Sequence, residues 1–152
     1  MKIKLSVLIL IFLMTGLLPT FGLSANVPMM TKEELKAILG SPDLVILDVR
    51  IGSEYFASDL KIKGAVRPNM GENICGTTSK YPRGSTFVFY CASPKEERSV
   101  VNLKHLTEVH RADGYTKVYV LKGGWEEWLK AGYPTEKNRN RRKKINQQGA
   151  NP

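Results

Sequence analysis

The chain has 152 residues, 42% of them apolar, with 23 Lys and Arg against 14 Asp and Glu, for a formal charge of +9 at pH 7. That size and composition exclude a multidomain assembly and a wholly disordered chain, and leave room for one domain. Two cysteines are too few for a disulfide scaffold, and His105 and His110, five apart, do not align on one helical face as a metal pair needs, so no zinc site, other metal or cofactor is expected.

Lys2 and Lys4 precede an apolar run from Leu5 to Leu18, followed by Pro19 and small residues reaching Leu23-Ser24-Ala25. This is the layout of a secretory signal peptide. The run of about 14 residues fits the ~7–15 of an h-region and falls short of the ~20 that a hydrocarbon core demands. Cleavage near Ala25 and export to a periplasmic or extracellular space are expected, with an uncleaved N-terminal anchor as the alternative.

In Met30-Thr31-Lys32-Glu33-Glu34-Leu35 an N-cap threonine is followed three residues on by a glutamate, with an apolar residue on each side of the cap. That is a capping box with a hydrophobic staple, and the helix it opens should stop at Gly40, ahead of Pro42. Leu44-Val45-Ile46-Leu47 is a continuous apolar run, the pattern of a strand buried on both faces. It delivers Asp48, Val49 and Arg50 at its C-terminal end. Cys75 falls in a Gly/Asn/Thr-rich stretch and is expected to be exposed.

Thr86-Phe87-Val88-Phe89-Tyr90 is a second buried strand, and it delivers Cys91. After a polar loop, Arg98 to Ala112 sets Val100, Val101, Leu103, Leu106 and Val109 at roughly helical spacing, with Gly114 as terminator and both histidines facing solvent. Lys117-Val118-Tyr119-Val120-Leu121 is a third strand. Gly123-Gly124 then grants a tight turn into a short helix, Trp125 to Lys130, closed by Gly132 and Pro134, with Trp125 and Trp128 as packing residues.

The last stretch, Thr135 to Pro152, holds six basic residues, one isoleucine and no aromatic residue, and cannot bury enough to order itself. The expected boundaries are a signal peptide at 1–25, a domain at 26–136 and a basic tail at 137–152. Without the leader's two lysines and the segment after Pro134, 15 basic residues face 13 acidic ones, so the basic charge belongs largely to the tail. Such a tail could make weak contact with anionic headgroups at a membrane surface. Nucleic acid is not an expected partner, because an exported protein seldom meets it and the tail lacks stacking aromatics.

Alternating strands and helices with buried strands imply an α/β fold, a mostly parallel sheet flanked by helices on both faces. In that architecture ligands bind at the C-terminal ends of the strands. This singles out Asp48 to Arg50, Cys91 to Arg98, and Lys122 to Gly124. A thiol before a loop that opens a helix sits where backbone N–H groups favour an anion.

With these residues assembled, the chain resembles the single-domain rhodanese family and, within it, the small exported members. Leu47-Asp48-Val49-Arg50 with Glu54 and Phe56, Ile62-Lys63-Gly64-Ala65, Tyr90-Cys91 and Leu121-Lys122-Gly123-Gly124-Trp125 occur in the family's order, over about Met30 to Glu136. The resemblance implies a sulfurtransferase. Its cysteine takes sulfane sulfur from a donor such as thiosulfate or polysulfide, holds it as a persulfide, and passes it to a thiophilic acceptor such as cyanide or a thiol. Cys91 is then the nucleophile, Ala92, Ser93, Pro94, Lys95, Glu96, Glu97 and Arg98 the substrate-binding loop, and Asp48 and Arg50 supporting residues.

The loop departs from the family. Members of it place the cysteine first in a six-residue loop, often with an arginine five positions on and then Ser or Thr. Counted from Arg98-Ser99 that place is Ser93, whereas counted from the strand end it is Cys91. A serine forms no stable persulfide, so a catalytically inactive module with a binding or regulatory role is the alternative. A related phosphatase or arsenate reductase fits less well, since those loops set cysteine and arginine six apart and Cys91 and Arg98 are seven apart. Lys95 and Arg98 are offset by Glu96 and Glu97, which predicts that thiosulfate is a poor donor. Three readings of Cys91 stay open: a reactive thiol, a buried small hydrophobe, and half of a disulfide with Cys75. Asp48 could equally bond backbone in the next loop, and Arg50 could be a surface charge.

Overall fold

The computed structural model describes residues 27–68, 74–92, 97–105 and 114–138. The leader, His110 and the segment from Arg139 onward lie outside them. In chain order the elements are β1 (Met29–Met30), α1 (Lys32–Ala37), β2 (Leu44–Asp48), α2 (Gly52–Ala57), β3 (Leu60–Ile62), α3 (Ile74–Thr78), β4 (Thr86–Tyr90), α4 (Glu97–Lys104), β5 (Val118–Leu121), α5 (Gly124–Lys130) and β6 (Thr135–Lys137).

Four strands form one parallel sheet in the order β1-β5-β4-β2, and Val66 extends its β2 edge through a parallel bridge to Leu47. Side chains alternate across a strand, so each strand feeds two cores. Ile46, Val88, Tyr90 and Leu121 pack with Leu35, Ile62, Trp125 and Trp128 on one face. Val45, Leu47, Phe87, Phe89 and Val120 pack with Ile74, Leu103 and Tyr115 on the other. Helices α1 and α5 therefore cover one face and α3 and α4 the other, as the buried apolar runs predicted. In β4, residues Phe87 to Tyr90 are wholly buried, which fixes it as the central strand.

Local signals placed α1 correctly. The Glu34 amide donates to Thr31 Oγ1 at 3.2 Å and the Thr31 amide donates back to Glu34 Oε2 at 2.7 Å. Gly40 has φ +87°, consistent with its terminating role after α1; Gly114 has φ +91°, but the end of the helix it was expected to close lies outside the described residues just before it. His105 is exposed, while the rest of the expected helix beyond it lies outside the described residues.

Two expectations are corrected. Cys75 is half-buried, because residues 74–78 of the Gly/Asn/Thr-rich stretch form α3, which turns the cysteine against the second core. The segment from Thr135 onward is not wholly without order: Thr135–Lys137 pairs antiparallel with β3, Lys61 Nζ meets Glu136 Oε1 at 2.9 Å, and Asn138 is buried. Backbone hydrogen bonds and one buried amide supply what its composition does not. The Asn138 amide N–H donates to Asp59 O at 2.7 Å, and its side-chain oxygen accepts from the buried Tyr55 hydroxyl.

Asn138→Ala would leave that hydroxyl buried without its acceptor, and is expected to lower the unfolding free energy by about 1–3 kcal/mol in urea titrations. A second expectation concerns acid. Hydrogen bonds from Thr31, its backbone first, hold the Glu34 carboxyl below its ordinary value. The contribution is thus complete above the unfolded-state pKa and disappears as pH falls through the depressed folded-state value. Glu34→Gln, which keeps the bond but not the charge, should melt slightly below wild type at pH 7 and converge with it in acid.

Candidate active site

Strands β2, β4 and β5 run parallel and end on one rim, where the chain leaves them as Val49-Arg50, Cys91-Ala92 and Lys122-Gly123. Past a strand end the ladder no longer satisfies peptide groups, so other bonds must. The Val49 amide donates to Tyr90 O at 2.9 Å. From the first turn of α5, the Trp125 amide donates to Cys91 O at 2.8 Å and the Glu126 amide to Ala92 O at 3.3 Å. Helix α5 thereby satisfies two of its own orphan N–H groups and clamps the backbone that carries the thiol.

The turn that aims α5 at this backbone requires glycine. Gly123 has φ +80°, and a Cβ there would lie 2.6 Å from Glu127 Cγ. Cys91 itself is 5% exposed and is not disulfide-bonded to Cys75. The disulfide reading is therefore set aside: Cys75 packs in the helical layer of α3, whereas Cys91 stands at the sheet rim.

Beneath the rim lies a buried ion pair. Asp48 and Arg50 alternate to the same side of an extended chain, and both side chains are wholly buried. Arg50 Nε donates to Asp48 Oδ1 at 2.9 Å and Nη2 to Oδ2 at 2.6 Å, a bidentate fork. The Arg50 amide also donates to Asp48 Oδ1 at 3.2 Å, and Nη2 reaches Leu60 O at 3.2 Å. The guanidinium carbon lies 4.7 Å from the Trp125 ring centroid, 5.4 Å from that of Tyr55 and 5.6 Å from that of Tyr90. Burial works against the Arg50 charge, but the hydrogen bonds and charge of Asp48 hold its pKa above the ordinary value. Burial, and then the Asp48 charge, push the Tyr90 phenol well above its ordinary value, so it stays neutral.

The surface-charge reading of Arg50 is thereby overturned: a bidentate carboxylate and three rings replace its water. Asp48 does bond backbone in the next loop, through the Arg50 amide, while also holding the guanidinium. Of the remaining loop candidates, Ala92 is half-buried; Ser93, Pro94, Lys95 and Glu96 lie outside the described residues. Glu97 and Arg98 open α4, and only their backbone is described. Ser99, next in α4, is wholly buried, and its hydroxyl has no hydrogen-bond partner among the described residues.

Sequence reasoning missed Arg67 and Tyr55. Arg67 Nη1 donates to Arg50 O at 2.8 Å and Asp48 O at 3.3 Å, and its guanidinium carbon sits 4.0 Å from the Tyr55 ring centroid. The available signal was the Ile62-to-Ala65 turn. A residue two beyond it comes level with the end of β2, once Val66 is seen to pair with Leu47.

Residues 31–131 match the rhodanese-like domain family. No curated protein matches the chain. Among solved structures it is similar to a rhodanese-like domain from Anabaena sp., with 29% identity, a TM-score of 0.56, and coverage of 74% of this chain and 81% of that one. A protein of unknown function from Rhodopseudomonas palustris, described as a possible tyrosine phosphatase, is 27% identical over 74% of this chain and 86% of its own, with a TM-score of 0.57. A thiosulfate sulfurtransferase from Pseudomonas aeruginosa is 24% identical with a TM-score of 0.59, a likeness of fold that covers 76% of this chain and 21% of that protein.

Asp48→Ala would strand a guanidinium among aromatic rings, and is expected to lower the unfolding free energy by about 3–5 kcal/mol in urea denaturation. Replacing both partners, Asp48→Leu with Arg50→Met, should recover most of that loss, because no unpaired charge is left behind.

Proposed function

We propose, because this chain belongs to the rhodanese-like domain family, that it is an exported sulfurtransferase whose Cys91 carries sulfane sulfur between a small donor and a thiophilic acceptor. The observation that carries the reading is the place of Cys91. It is the first residue beyond the central strand, on the rim where a parallel sheet offers its binding crevice, with its carbonyl held by the first turn of α5.

The chemistry needs a thiolate. With thiosulfate as donor, the Cys91 thiolate attacks the outer sulfur. A sulfur–sulfur bond forms to Cys91, the donor's own sulfur–sulfur bond breaks, and sulfite leaves with the electron pair. Cyanide or a thiolate acceptor then attacks the terminal sulfur of the persulfide, and the bonding pair returns to Cys91. The persulfide carries negative charge, which favours donors fixed in advance around it.

Ser93 favours a second reading, a silent module that binds a sulfur compound or a partner without turnover, since a hydroxyl stands at one of the two possible nucleophile positions. Sulfur transfer from thiosulfate or polysulfide to cyanide or a dithiol separates the two. Under the first reading Cys91→Ala abolishes transfer and Ser93→Cys adds little. Under the second, wild type and Cys91→Ala are equally inactive and Ser93→Cys creates the activity.

A further inference from the structure

Arg67 is a positive charge at the rim that the core does not neutralise, and it differs from the exposed Lys122 at the end of β5 in that its head is fixed. The one carboxylate within ion-pair distance of it among the described residues, that of Asp48, is 3.8 Å away and is already gripped by both edges of the Arg50 fork. Two guanidiniums thus share one carboxylate, and the group keeps a net charge of +1. Arg50 is sealed, but the Arg67 side chain is 19% exposed. Its head is also held in place: two carbonyl oxygens, of Asp48 and Arg50, take Nη1, and the Tyr55 ring lies against the plane.

The register sets where this charge acts. Val66 pairs with Leu47 and Asp48 pairs with Tyr90, so Arg67, Val49 and Cys91 leave neighbouring extended segments at the same rim. Two inter-strand spacings of ~4.8 Å put the Arg67 backbone roughly 10 Å from that of Cys91. The guanidinium leans inward from there, onto the carbonyls of residues 48 and 50. At this range the interaction is a field, comparable to a Debye length and little screened beside a low-dielectric core.

We propose that Arg67 is the specificity-determining residue that favours anionic sulfur donors, the more so the greater their charge, by holding a fixed positive charge beside Cys91. The donor identity rests on the sulfurtransferase reading, whereas the field at Cys91 does not. Lys95, Glu96, Glu97 and Arg98 cancel formally, so Arg67 supplies what the loop withholds. Under this proposal thiosulfate is a favoured donor, in contrast to the expectation drawn from the loop charge alone.

The test compares wild type with Arg67→Gln and Arg67→Lys in two experiments. In the first, Cys91 is alkylated in the native protein by anionic iodoacetate and neutral iodoacetamide, and its modification is followed by peptide mass spectrometry to keep Cys75 apart. Removing one charge at this distance in a partly wet site should lower the iodoacetate-to-iodoacetamide rate ratio about fivefold in Arg67→Gln, with Arg67→Lys close to wild type. In the second, kcat/KM is measured for thiosulfate, a dianion, and for benzenethiosulfonate, a monoanion that undergoes the same displacement with sulfinate leaving. Arg67→Gln should lower the first about twentyfold and the second about fivefold. An unchanged alkylation ratio in Arg67→Gln, or an equal fall in Arg67→Gln and Arg67→Lys, overturns the proposal, the latter because it marks a purely structural role. A shifted ratio in a protein without sulfur transfer upholds the field and removes the sulfurtransferase reading, and a Cys91 that reacts with neither reagent removes both.

Discussion

The pairing of Asp48 with Arg50 is the interaction on which the arrangement of this domain turns. Neither side chain touches water, so each is held only by the other and by what surrounds them both. The carboxylate gathers the exit of β2. The guanidinium reaches across to the Leu60 carbonyl at the start of β3, and the rings of Tyr55, Tyr90 and Trp125 close over it from α2, β4 and α5. Five elements meet on one charge pair. Trp125 then joins the interior to the rim, because its ring packs on Arg50 while its backbone N–H holds the carbonyl of Cys91.

That connection explains why the thiol sits on firm ground although it begins a loop. The central strand is buried on both faces and the residue just past it inherits the strand's direction. The next constraint comes from α5, which the left-handed Gly123 turns toward the same two carbonyls. The departure in spacing between Cys91 and Arg98 falls in the part of the chain beyond those two carbonyls.

Much of this was legible in the sequence, and what was legible was local or periodic. The apolar runs at 44–47, 86–90 and 117–121 announced buried strands, and Thr31 with Glu34 announced a helix start, because in each case the deciding neighbours are a few residues away. The β3–β6 pair was hidden for the opposite reason. Leu60–Ile62 and Thr135–Lys137 are short, partly polar segments with no pattern of their own, and each becomes a strand only in the other's presence. The depth of Arg50 was hidden by the usual habit of charged residues. Its spacing of two from Asp48 held the clue, since residues two apart in an extended chain face the same way. Composition misjudged Cys75, because Gly, Asn and Thr around it also suit one short helix laid on a core.

The tie between Tyr55 and Asn138 spans 83 residues of chain, and β6 lies beside it. A nascent polypeptide leaving the ribosome can therefore pair β2 with β4 early, but it cannot complete the parallel sheet before β5 emerges or seal the Tyr55 side of its interior until almost the whole domain has been synthesised. Contacts so distant along the backbone carry a loop-closure penalty that slows the search for the native state. Until that closure, the aromatic cluster around Arg50 is open on one side, a state for chaperones to shield.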